Sequence, residues 1–403
     1  MLHNSMLTLS SGGNHRCCVW LDSNVVFLRL CNSNLMRRRN LHYWVTLFLL
    51  GALIPVLRSQ QLPVKFDWIR VSVAYWVILA VQSVFLAVLL ALIGRWQILS
   101  PLIHRYRRNW PRLLAVAAYF AVLAWATTVA KSLVLGVVTV ALLELYERKG
   151  SRDLSRMAAA VLLPAAYLFL GFLLVLAYNS AIVSVRYAFL TDPALAGIDR
   201  WLLHGHSVWE LTHWGLGAFP LSFFKFLEFI YFGMFPQIGA AILLVALSDG
   251  RARAMLFVGT VLLSYYFALA LFYVWPALGP FTVCPGHFSR FPASLASYNI
   301  QRTLMAHALA LYHHEPIRRI PIDYFIALPS MHIVQPLIVI WFLRRWRGMV
   351  IALAIYDVVL VAAILFLEMH YVIDLIVGML VAASSIAICA WPASHHEPHA
   401  SNA

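Results

Sequence analysis

Twenty-four residues without a charge lie between Arg70 and Arg95, and 29 more run from Met157 to Val185. A helix rises about 1.5 Å per residue, so roughly 20 residues cross a ~30 Å hydrocarbon layer. Inside that layer a spanning segment must satisfy its own backbone N–H and C=O groups, which leaves helices as the solution for long continuous apolar runs. Further runs occupy about 229–248, 254–275, 328–343, 348–367 and 372–391, and one between Arg39 and Arg58 contains Pro55. With 62% hydrophobic and 11% charged residues and a mean hydropathy of +0.80, the chain reads as an all-α, polytopic helical membrane protein.

Four regions follow. Residues 1–39 read as a disordered leader, or as an over-long translation in front of a start at Met36, which directly precedes Arg37, Arg38 and Arg39. Residues 40–156 hold three or four transmembrane helices. The 31-residue run 113–143, with Lys131 as its one charge, is long for a single tilted helix and short for two. Residues 157–391 form a second membrane region, and 392–403 a disordered tail. The net charge of +14 comes mainly from arginines clustered between spans. This is the positive-inside pattern of cytoplasmic loops, and it calls for no nucleic-acid partner. With Arg251/Arg253 and Arg344/Arg345/Arg347 inside, parity puts the loop 276–327 and the turn at His370 outside. Arginine-rich loops suit a bacterial inner (plasma) membrane.

The stretch 186–220 differs in character, carrying Trp201, Trp209, Trp214, His204, His206 and His213. Aromatic amphipathic material beside a span belongs at the headgroup level. The histidine spacing is not H-E-x-x-H, and the five cysteines have neither metal-site nor disulfide-framework spacing, so no metal site is read and no cofactor is called for. Lys225 with Glu228 reads as an i,i+3 pair at a helix end, and Asp357 as an acid needing a partner or a wet pocket.

The chemistry sits where apolar runs end. Pro329, Ser330 and His332 open one span, and His370 and Asp374 open another. On a helix, residues four apart share a face, so the Asp374 carboxylate can take the His370 N–H, fix its tautomer and leave the other nitrogen as a nucleophile. His332 can act as acid and base toward leaving and entering oxygens, and Ser330 with the backbone N–H groups of a helix start can hold phosphate oxygens. The same proline and serine also fit ordinary helix capping.

In combination these residues resemble the phosphatidic acid phosphatase type 2 superfamily from about 157 to 391. Pro329, Ser330 and His332 match its P-S-x-H motif, and His370 and Asp374 its H-x-x-x-D motif. The form His370-Tyr371-Val372-Ile373-Asp374 looks most like the inositol phosphorylceramide synthase branch. The resemblance implies a six-helix phosphatase core preceded by three or four extra helices, metal-independent phosphoryl transfer through a phosphohistidine, and a lipid phosphate or phospholipid substrate. Two elements of the family pattern are absent: the lysine–arginine–proline motif, and the serine–arginine pair, where Ala363 and Ile364 stand. Arg290, Arg302, Arg318 and Arg319 are the cations available to replace them, with Arg318 and Arg319 nearest Pro329. Phosphatase and transferase differ only in whether water or a lipid alcohol accepts the phosphoryl group. A rival from another class is a transporter or flippase of a lipid phosphate, in which the histidines carry protons.

Overall fold

The computed structural model describes residues 6–10, 16–22, 25–29, 41–59, parts of 82–90, 152–283, 293–315 and 326–389. The run 113–143 with Lys131, the arginines Arg290, Arg318 and Arg319, and the tail 392–403 lie outside the described residues. β1 (Met6–Ser10), β2 (Arg16–Asp22) and β3 (Val25–Arg29) form an antiparallel meander in the order β1-β2-β3. Its segments are short and rich in Val, Leu, Cys and aromatic residues, the composition that favours strands.

All other described regular structure is helical. α1 (Leu41–Ser59) and the long α2 (Arg152–Arg186) precede two short helices, α3 (Asp192–Leu202) and α4 (Val208–Ala218). α5 (Leu221–Phe232) and α6 (Met234–Asp249) follow each other across Gly233, and α7 (Arg251–Val274) returns. α8 (Ala296–Tyr312), α9 (Met331–Leu343), α10 (Arg347–Phe366) and α11 (Val372–Cys389) complete the set. Among the described residues, five stretches are long and apolar enough to cross a membrane: 159–189, 221–249, 251–274, 347–366 and 372–389, while α9 is apolar but shorter.

α7 is the central post. It packs against α1, α2, α6, α9 and α11, and Phe257, Val258, Val261, Leu262 and Ala268 are fully buried there. Small residues permit the close approaches. A Cβ at Gly171 would meet the Leu262 side chain, and one at Gly233 would meet the Tyr356 hydroxyl, which donates to the Ile230 carbonyl at 2.5 Å. Polar groups within the apolar bundle find partners. Gln335 donates to Ser264 Oγ at 3.0 Å, and α1 is tied in through Thr46 Oγ1 with Tyr266 (2.7 Å) and Tyr167 (3.0 Å).

Two acidic residues find partners on other helices. Glu228 accepts the backbone N–H of Ser297 at 2.5 Å, so this buried acid serves the start of α8. Asp357 takes its partner from Gln237, whose amide donates at 3.1 Å. Arg345 at the α9–α10 turn pairs with Asp249 at the end of α6, so the two basic turns lie at one end of the bundle. The loop after α7, the start of α9 and the start of α11 meet at the other.

Candidate active site

α9 begins directly after Ser330 and α11 at Val372, and their first turns face each other. Ser330 N donates to the Asp374 carbonyl at 3.0 Å. The approach depends on Gly378, where a Cβ would stand 2.9 Å from the Ser330 carbonyl oxygen. The result brings His332 and His370 together, with ring centroids 5.7 Å apart. Ser330, His332, His370 and Asp374 are all buried.

His370 precedes α11 rather than lying one turn along it, and it keeps its i,i+4 pairing with Asp374 at longer range. Its Nδ1 lies 2.8 Å from the Ala327 carbonyl oxygen and 3.5 Å from Asp374 Oδ2. A carbonyl only accepts, so Nδ1 carries the hydrogen and Nε2 holds the lone pair. Asp374 Oδ2 also receives the Tyr371 N–H at 2.8 Å, closing the turn that enters α11. The carboxylate stands beside the imidazole as a negative charge and shapes the turn, while the backbone carbonyl sets the tautomer.

His332 stacks on Tyr231 of α5, centroids 3.9 Å apart and planes 20° apart, with Phe235 edge-on at 6.2 Å. Its Nε2 has no partner among the described residues, and neither do Ser330 Oγ nor Asp374 Oδ1. Ser330 makes no side-chain cap to α9, so the hydroxyl is not consumed by capping. Arg302, one of the cations considered for the phosphate, lies over Tyr298 of its own helix at 5.6 Å.

A second set of groups frames the site from α3 and the loop after α7. Asp192 accepts from Leu278 N (3.0 Å), Gly279 N (2.8 Å) and the Tyr371 hydroxyl (3.2 Å). Asp199 accepts from Val372 N (2.8 Å) and Ile373 N (3.0 Å). Burial raises both carboxyls to about 6, against the opposing pull of these hydrogen bonds. Glu368, at the turn before His370, adopts φ +52°, and burial raises it to about 8. Gln301 of α8 donates to the Leu367 carbonyl at 2.8 Å and holds the same turn from the outside.

Asp192, Asp199, Tyr231, Gln301 and the Ala327 carbonyl are the contributors that the sequence motifs do not announce. The aspartates had a readable signal: they flank Leu195 on the apolar face of an amphipathic helix, where acids are out of place. A backbone carbonyl has none.

No curated protein and no solved structure matches this chain. The family model of the PAP2 superfamily matches residues 193–388, the stretch that contributes Asp199, His332, His370 and Asp374 to the arrangement above.

Proposed function

We propose that this protein is an integral-membrane, metal-independent lipid phosphatase or phosphotransferase working through a phosphohistidine on His370. The observation that carries the reading is the Nδ1 hydrogen bond from His370 to the Ala327 carbonyl, which in the neutral imidazole puts the lone pair on Nε2, with His332 across from it. His370 Nε2 attacks phosphorus, the bond to the leaving oxygen breaks, and His332 supplies that oxygen with a proton. Water or a lipid alcohol then attacks the phosphohistidine, gives its proton to His332, and the P–N bond breaks. Ser330 Oγ offers a hydroxyl to the phosphoryl oxygens, and Arg318 and Arg319 supply the positive charge such a substrate requires. The positive-inside distribution puts this chemistry on the non-cytoplasmic face.

The experiment is turnover of a panel of lipid phosphates and phosphodiesters by purified protein in EDTA, with phosphate release and chromatography of the lipid products, beside His370→Ala. Turnover by wild type and none by the variant supports the reading. Free phosphate identifies a phosphatase, whereas a new phosphodiester identifies a transferase of the inositol phosphorylceramide synthase kind. Equal activity in the two proteins refutes the nucleophile. Binding of lipid phosphate without turnover by either protein turns the reading toward transport.

A further inference from the structure

Asp192 and Asp199 sit seven residues apart on α3, two helical turns along one face. That face is buried, whereas Ile198 and Trp201 on the other side are 40% and 78% exposed. All five hydrogen-bond donors named above for this pair belong to the loop after α7 or to residues 371–373, directly after His370.

The two connections reach His370 from opposite sides. Asp192 fixes Leu278 and Gly279, and the adjoining Ala277 carbonyl accepts the Ala327 N–H at 2.9 Å. The Ala327 carbonyl is in turn the acceptor for His370 Nδ1 at 2.8 Å. Thr191 strengthens the same edge, donating its N–H and its hydroxyl to the Pro276 carbonyl at 2.7 and 2.9 Å. On the other side, Asp199 holds the first two N–H groups of α11, which have no acceptor within their own helix. The turn carrying His370 and Asp374 is therefore gripped from both flanks.

Resting on the phosphohistidine reading, we infer that Asp192 and Asp199 are positioning residues for the nucleophile. Asp192 places the carbonyl that sets the His370 tautomer, and Asp199 places the helix start that carries Asp374. Carboxylates suit both tasks because two charged acceptor oxygens can serve two adjacent N–H groups, whereas a neutral amide has a single oxygen to share between them. Neither side chain approaches Nε2 in this scheme, so they act on rate through geometry.

The test uses rapid-quench kinetics on the full-length protein in lipid–detergent micelles, with the panel lipid that wild type turns over, 32P-phosphatidic acid first. The amplitude of the phosphoenzyme burst counts competent sites, and its rate constant reports the chemistry. Asp192→Ala and Asp199→Ala are each expected to slow the burst roughly 100-fold per competent site, the penalty of misplacing a reacting group by about 1 Å, with KM within about twofold of wild type. Asp192→Asn and Asp199→Asn keep the shape but lose the charge and one acceptor, so they should slow the burst about tenfold, less than alanine does; they decide the matter if an alanine variant does not fold, and a wild-type burst rate in them would overturn the positioning role. Burst rates equal to wild type with only the amplitude lowered would overturn the positioning role, because that is what loss of folded protein alone produces. His370→Ala run alongside separates the two inferences. A burst that survives in it removes the phosphohistidine itself, while no burst there with wild-type rates in the aspartate variants removes only the positioning role.

Discussion

Gly378→Ala adds one methyl group where α11 crosses the start of α9. The new Cβ would stand 2.9 Å from the Ser330 carbonyl oxygen and 3.4 Å from Ile333 Cβ, and the nearer neighbour is backbone, which cannot rotate away. Overpacking of this kind costs about 1–3 kcal/mol. Separating the helices also strains the 3.0 Å bond from Ser330 N to the Asp374 carbonyl, worth about 1 kcal/mol. A total of about 2–4 kcal/mol corresponds to a Tm lowered by roughly 5–15 °C for a domain of this size. Because the same shift moves His332 relative to His370, kcat should fall about tenfold or more. Gly197→Ala is the control, since nothing lies within 4 Å of its Cβ position on the exposed side of α3. There alanine gains about 0.5–1 kcal/mol of helix preference, so Tm should hold or rise slightly. Thermal unfolding in detergent and steady-state turnover of both variants check the pair. An unchanged Tm and kcat for Gly378→Ala would refute the close crossing, and with it the placement of His332 opposite His370.

Asp374→Asn removes a negative charge beside His370 and should lower kcat about 100-fold or more with little change in KM, read from initial rates. Glu368 has a folded-state pKa raised to about 8, so its stabilising neutral form is fully present below about pH 4.5 and is lost as pH rises toward 8. Glu368→Gln should therefore flatten the decline of Tm between pH 5 and 8, and parallel curves for the two proteins would contradict the burial of that acid. Glu228→Ala leaves the Ser297 N–H without its acceptor and should cost about 1–3 kcal/mol, visible as a lower Tm while kcat per folded molecule is retained. Tyr231→Phe keeps the ring stacked on His332 and should retain turnover, whereas Tyr231→Leu should lose about 0.5–1.5 kcal/mol of aromatic contact and part of the rate.

The order of the helices and the meeting of His332 with His370 were legible because apolar length, arginine position and motif spacing are all properties of the chain in one dimension. The break between α5 and α6 at Gly233 was not legible, since the run of apolar residues continues through it. The nearer partner of His370 was hidden for another reason. Spacing of four pointed to Asp374, which stands 3.5 Å from Nδ1, but a carbonyl 43 residues away closes on the same nitrogen at 2.8 Å. Asp357 was expected to need a partner, but that Gln237 supplies it, and that Glu228 takes a backbone N–H of α8, could not be read from the sequence. Such answers depend on tertiary packing, which no periodicity encodes.

Four of the five donors bound by Asp192 and Asp199 are main-chain N–H groups, at positions 278, 279, 372 and 373. A grip on the main chain is indifferent to most side chains. Over evolutionary time positions 278, 372 and 373 are free to exchange one apolar residue for another without disturbing the turn. Gly279 is held apart by its φ of +131° and by the Met369 carbonyl oxygen, which would lie 3.1 Å from a Cβ there. Drift should therefore be wide along the gripped segment and narrow at the two aspartates, the reverse of what a reader of the catalytic motif alone would expect.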